Sequence, residues 1–137
     1  MPASPAPSIT ERLRAVGLRP TRQRLALGAL LFSAGHDRHV TAERLHDEAV
    51  ARGVKVSLAT VYNTLNQLSG AGLLREVVVG PGRIYFDTNT GAHHHFFVED
   101  DGALVDIPAD RVVIARMPPA PPGMTVERVD VVVRVRR

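Results

Sequence analysis

The sequence of 137 residues has no cysteine. That excludes disulfides, thiolate zinc sites, iron–sulfur clusters and a cysteine nucleophile. Tryptophan is also absent, and aromatic residues make up only 4%. No apolar run approaches the roughly 18 residues that a membrane-spanning helix needs, so no membrane partner is expected. Met1-Pro2-Ala3-Ser4-Pro5-Ala6-Pro7 has neither a basic residue nor an apolar centre, so it does not read as a secretory leader. A cytoplasmic location is the expectation that fits these absences. Lysine is nearly missing too: Lys55 is the only one among 17 basic residues.

What is present suits a packed protein. Apolar residues make up 45% and charged residues 23%, unlike a disordered chain. The charge is uneven. Residues 1–85 carry 11 Lys+Arg against 6 Asp+Glu, and residues 86–137 carry 6 against 8. A basic first half suits an anionic partner such as nucleic acid, provided the arginines share a face.

Periodicity and punctuation give the organisation. Residues 1–8 read as a Pro/Ala/Ser tail. Ser8-Ile9-Thr10-Glu11 has capping-box spacing and starts a helix that Gly17 ends. A second helix follows Pro20-Thr21, with Leu25, Leu27, Leu30 and Leu31 toward the core, and stops at Ser33-Ala34-Gly35. In a third, Ala42, Leu45, His46, Ala49 and Val50 form one stripe, with Thr41 as cap. The fourth runs from Ser57 to about Ser69. Leu58, Val61, Leu65 and Leu68 form its buried stripe; Thr60, Asn63, Thr64, Asn66 and Gln67 face outward, with Tyr62 at the margin. Strands over Leu73–Val79 and Arg83–Asp87, joined by Gly80-Pro81-Gly82, read as a hairpin. A linker over 88–92 precedes a second hairpin, His94–Glu99 with Ala103–Ile107. A short helix from Pro108 to about Arg116, a proline-rich loop and a half-buried strand over Val126–Arg136 complete the chain.

Helices followed by a hairpin make a winged helix-turn-helix, with the fourth helix as recognition helix. Its Asn and Gln side chains can pair with adenine edges. Arg19, Arg22, Arg24, Arg75 and Arg83 are candidate phosphate contacts. Downstream, Asp87, His93, His94, His95 and Asp106 gather around the linker. In a strand His93 and His95 share one side and His94 takes the other. Two imidazoles with nearby carboxylates suit a divalent first-row metal: Mn, Fe or Zn. His36 and His46 read as structural, and His39 alone is ambiguous. Such a metal could also activate water, so a metal-dependent hydrolase is a reading from a different class. No nucleophile–base pair stands out, and no enzyme is expected.

Gly17-Leu18-Arg19-Pro20-Thr21-Arg22-Gln23-Arg24, His39-Val40-Thr41-Ala42-Glu43 and Leu58-Ala59-Thr60-Val61-Tyr62-Asn63-Thr64-Leu65 resemble the ferric uptake regulator family over residues 9–135. The resemblance implies a metal-responsive, homodimeric repressor of transcription that binds a double-stranded DNA operator. It implies an α+β fold: a winged-helix DNA-binding domain over 9–87 and a small α/β dimerisation domain over 93–137. It also implies one metal held between the domains by His39, Asp87, His93, His95 and Asp106. DNA contacts fall to Arg19 and Tyr62, with Asn63 where the family often has arginine. The family's structural zinc site needs cysteine pairs and is absent.

His93-His94-His95-Phe96-Phe97-Val98-Glu99 and the ending Val129–Arg137 are similar to the iron response regulator subgroup. That implies a regulator of iron-homeostasis or haem-biosynthesis genes that senses haem, bound here by His93, His94 or His95. The alternative within the family is a Mn/Fe-corepressed regulator without haem.

Overall fold

The computed structural model describes residues 7–137. Of the expected tail, residues 1–6 lie outside the described residues; Ser8, at its end, is a helix cap. The chain forms two compact units, Met1–Thr90 and Gly91–Arg137. Among the described residues no helix is long and apolar enough to cross a membrane.

Four helices open the first unit: α1 (Ile9–Ala15), α2 (Arg22–Phe32), α3 (Ala42–Ala51) and α4 (Leu58–Gly70). Each starts where a hydroxyl side chain satisfies an otherwise orphaned backbone N–H. Ser8, Thr21, Thr41 and Ser57 accept from the amides of Glu11, Arg24, Arg44 and Thr60. Ser8 and Glu11 complete a reciprocal capping box. At the far end of α4, Leu73 N–H donates to Leu68 O at 2.9 Å across Gly72, whose φ of +85° suits a residue without Cβ. Inside α2, a Cβ on Gly28 would come within 2.7 Å of Ile9 Cγ2, so glycine lets α1 lie close.

Leu13, Leu27, Leu31, Leu45, Val61, Leu65 and Phe86 are among the residues of a single closed core. Two apolar positions of the expected stripes fall outside it: Val50 is 54% and Leu58 37% exposed. Thr64, expected on the polar face of α4, is buried. It sits three residues after Val61 and next to Leu65, on the flank of the buried stripe.

The wing is a hairpin of β2 (Arg75–Gly80) and β3 (Arg83–Asp87), with Gly82 in the turn at φ +66°. A two-residue strand, β1 (His39–Val40), adds to its other side and gives the order β1-β3-β2. This strand was not legible in the sequence, since two residues carry no alternation. β2 begins two residues later than expected, with Leu73 and Leu74 in the turn after α4.

The second unit is a three-stranded sheet of β4 (His93–Val98), β5 (Leu104–Pro108) and β6 (Val132–Val135), ordered β5-β4-β6. β4 and β5 are antiparallel; β4 and β6 are parallel. The helix expected from Pro108 to Arg116 is reduced to one 3-10 turn, Ala109–Arg111. The strand expected over Val126–Arg136 is ladder-paired only over Val132–Val135, and Val133 on its apolar side is 37% exposed. Alternation marked the strand but not its extent: β4, its partner, is itself only six residues long.

Candidate metal centre and DNA-facing helix

In the first unit, β3 carries Asp87 at its end, between two strands. His39 on β1 and Arg75 on β2 are both in register with it. The Asp87 side chain is fully buried, and its Oδ2 lies 3.3 Å from His39 Nε2. Its Oδ1 accepts the Asn89 N–H at 2.8 Å, which fixes the carboxylate from behind. Arg75, named in the sequence as a candidate phosphate contact, is only 7% exposed and lies beside this carboxylate, so it does not face a phosphate backbone.

In the second unit the pleat of β4 sorts the three histidines as expected. His93 and His95 are buried on one side, with Asp106 across from His95 on β5. Asp106 Oδ1 lies 3.6 Å from His93 Nε2 and 3.4 Å from His95 Nε2. The two rings are 4.5 Å apart and edge-on at 65°. His93 Nδ1 is 2.6 Å from Gly91 O, so it donates there and turns Nε2 toward Asp106. A carbonyl behind the ring is how metal-binding histidines are held.

The donor set fits a divalent first-row ion. With bonds of about 2.1 Å, neighbouring ligand atoms are about 3.0–3.4 Å apart. The 3.3 Å pair in the first unit and the 3.4 and 3.6 Å pairs in the second are close to that spacing. His94 faces the other side, where its Nδ1 accepts the Val131 N–H at 3.1 Å. Of the three histidines named for haem, it is thus engaged with the backbone through Nδ1. His46 is structural, with Nε2 3.0 Å from Val56 O.

On α4, Asn63 is exposed and Tyr62 half-buried, and Arg19 is exposed in the segment before α2. Two contacts here were not anticipated. Tyr62 OH donates to Glu43 Oε1 on α3 at 2.6 Å. That bond holds the Glu43 carboxyl below its ordinary range and the Tyr62 phenol above it. Arg24 donates to Gln67 Oε1 from Nε and Nη2, at 3.3 and 2.9 Å, and to Arg19 O from Nη1 at 2.9 Å. Arg24 is thus engaged within the unit. The sequence contained these residues, but nothing local pairs position 43 with 62 or 24 with 67.

Comparison with known proteins follows the same lines. A peroxide-responsive repressor, PerR of Staphylococcus epidermidis, is 34% identical over 94 residues, which are 69% of this chain and 61% of the relative. The chain thus spans about three-fifths of the length of the curated relatives it matches. The manganese-containing structure of the ferric uptake regulator from Pseudomonas aeruginosa superposes with a TM-score of 0.70 at 27% identity, covering 94% of this chain and 97% of that one. The Vibrio cholerae ferric uptake regulator shares the fold, with a TM-score of 0.69, 19% identity and coverage of 93% and 98%. These are regulators and a repressor, not enzymes, which sets the hydrolase reading aside. The model described as "Ferric uptake regulator family" matches residues 15–121, most of the chain, and the chain belongs to that family.

Proposed function

We propose that this protein is a dimeric, metal-responsive DNA-binding transcriptional regulator that acts in the cytoplasm. In this reading residues 9–87 bind the operator, residues 88–92 are a linker and residues 93–137 dimerise. One divalent ion is held by His39, Asp87, His93, His95 and Asp106. The observation that carries it is the convergence of His93, His95 and Asp106 on one side of β4 and β5, with His93 Nδ1 held by Gly91 O and Nε2 turned toward Asp106.

The ligands are far apart in sequence, so the site exists only in the folded chain. An ion bound there changes the populations of arrangements that bind DNA differently, which is the only way a ligand can pass on its signal. A nitrogen and oxygen set without thiolate accepts Mn, Fe or Zn, and manganese in the Pseudomonas aeruginosa regulator supports this. The ion supplies positive charge and fixed geometry; His39 and Asp87 contribute from one unit, and His93, His95 and Asp106 from the other. DNA contact falls to Arg19, Tyr62 and Asn63.

Dimerisation is supported by the other face of the second sheet. Phe96 is in register with Val105 on β5 and Val133 on β6, so the three form one row. They are 37%, 49% and 37% exposed. Such a row suits a second copy meeting it about a two-fold axis.

Iron is the ion we assign in the cell, on the resemblance to the iron response regulators. Haem at His93, His94 or His95 is the finer version of that reading, and the geometry supports it less. His94 would ligate through Nε2 only by moving its proton to Nδ1 and losing the bond from Val131.

The test is operator binding by metal-stripped protein, repeated with Mn, Fe, Zn and haem in separate samples. A divalent ion should change affinity at least tenfold, and His93→Ala/His95→Ala should abolish that response. An undiminished response in the double variant rejects the ligand set. A Soret band that depends on His94, with DNA affinity following haem alone, favours the haem reading.

A further inference from the structure

The outward side of α4 holds fewer available readers than the sequence indicated. Thr64 is buried. Thr60 Oγ1 accepts the Ser57 hydroxyl at 2.9 Å. Gln67 Oε1 accepts two N–H groups from Arg24, so its amide cannot also accept from a base in the paired fashion that adenine requires. The Tyr62 hydroxyl is committed as a donor to Glu43. Asn63 and Asn66 remain. Both are exposed, and no side-chain partner for either is seen among the described residues. They lie on one face, three residues apart, with about 4.5 Å of rise between them. Small side chains flank them, at exposed Ala59 one turn before and Gly70 one turn after.

We infer that Asn63 and Asn66 are the base-reading pair of this helix and that each selects an adenine in the major groove. The inference rests on the DNA-binding reading above and deepens it. A primary amide has a donor and an acceptor side by side. Adenine presents the matching N7 acceptor and N6–H donor, and no other base edge does so in the major groove. Two asparagines one turn apart therefore select adenines at neighbouring positions of each half-site. Glu43 and Arg24 are positioning residues: they hold the Tyr62 hydroxyl and the Gln67 amide and keep those polar groups from competing for the adenine edges, which leaves the Tyr62 ring as the DNA contact.

The experiment starts with the full-length protein and a pool of random duplexes, in each of the metal states above. The recovered sites should contain two adenines at fixed spacing in each half. Each is then replaced by 7-deazaadenine, which lacks the N7 acceptor but pairs normally. Wild type should lose roughly tenfold at each position. Asn63→Ala should be weakened about as much on the unmodified site and be indifferent to one of the two replacements; Asn66→Ala should be indifferent to the other. Affinity for random duplex should not change, because neither amide supplies charge. Gln67→Ala should recover the same sequence as wild type. The 7-deazaadenine arm uses wild type alone, so it holds even where a variant folds poorly. A clear wild-type preference shared by both asparagine variants, or no cost from 7-deazaadenine, overturns the assignment alone. A wild type that recovers no common sequence in any metal state overturns the DNA-binding reading and the assignment together.

Discussion

The two units are built on different terms. Among the described residues 16 apolar ones are buried; 14 of these lie in Met1–Thr90, and only Phe97 and Ile107 lie in Gly91–Arg137. Exposed large apolar residues run the other way: among the described residues eight of eleven, from Phe96 to Val133, belong to the second unit. The first unit closes a core by its own means. The second, with 47 residues, is in the size range where a core of its own is marginal and a metal or a partner is commonly recruited. Its most enclosed face spends two core positions on His93 and His95. Buried imidazoles cost stability unless paired, and here Gly91 O and Asp106 lie beside the rings, so polar partners hold this face as much as apolar packing does.

The sharpest way to break this comparison is to truncate one apolar side chain in each unit. Leu65→Ala, at a position with no exposure, should cost about 2–5 kcal/mol. Val133→Ala should cost well under 1 kcal/mol in dilute, metal-free protein. Denaturant unfolding followed by circular dichroism reads both, and similar losses would contradict the contrast. Next comes metal. Manganese at a hundred times its dissociation constant should stabilise by about 2.7 kcal/mol, and His95→Ala should remove the effect in a thermal melt. Third, Val105→Asp, in the exposed row, should raise the dimer dissociation constant at least tenfold by sedimentation while leaving the α-helical signal intact. A monomeric wild type at micromolar concentration would sink the idea of a shared face.

Two smaller effects belong to the first unit alone. Thr41→Ala removes the cap of α3 and should cost about 1 kcal/mol in chemical denaturation. Glu48 is the smallest case. Its carboxyl is held below the ordinary 4.5, first by the hydrogen bond from Arg38, with Arg44 adding to it. The folded value is depressed, so this stabilisation is complete above the unfolded pKa. It disappears as pH falls from about 4.5 through the lowered value. The pair is partly exposed, so the loss should stay under about 1 kcal/mol. Glu48→Gln should flatten the acid limb of the stability curve over that range.

The same contrast explains what could be read in advance. The four helices of the first unit were legible because caps and apolar stripes act within a few residues: Ser8, Thr21 and Thr41 meet amides three positions on. The histidine sides of β4 were legible because strand alternation is strict. What failed depended on distant partners. β1 exists only because β3 lies beside it. The depth of Arg75 is set by its place opposite Asp87, and the engagement of Gln67 by an arginine 43 positions away. The second unit was traced less well because its outer strand has one short neighbour to define its ends. The site residues stood out as chemistry, but His39 joined them only through the family resemblance.

The parallel pairing of β4 with β6 also has a kinetic consequence. His95 meets Val132 across 37 positions, whereas Val78 meets Ile84 across six in the wing. Closing the longer loop costs about 1.6 kcal/mol more in chain entropy, before any contact across it forms. Folding speed follows such separations, so the wing and helices should form early and β6 should zip on late. During that interval the inner edge of β4 is an unpaired strand beside apolar Phe96, Phe97 and Val98. A newly made chain is therefore most prone to wrong intermolecular pairing at this edge, and refolding yield should fall with protein concentration more steeply than for the first unit's elements.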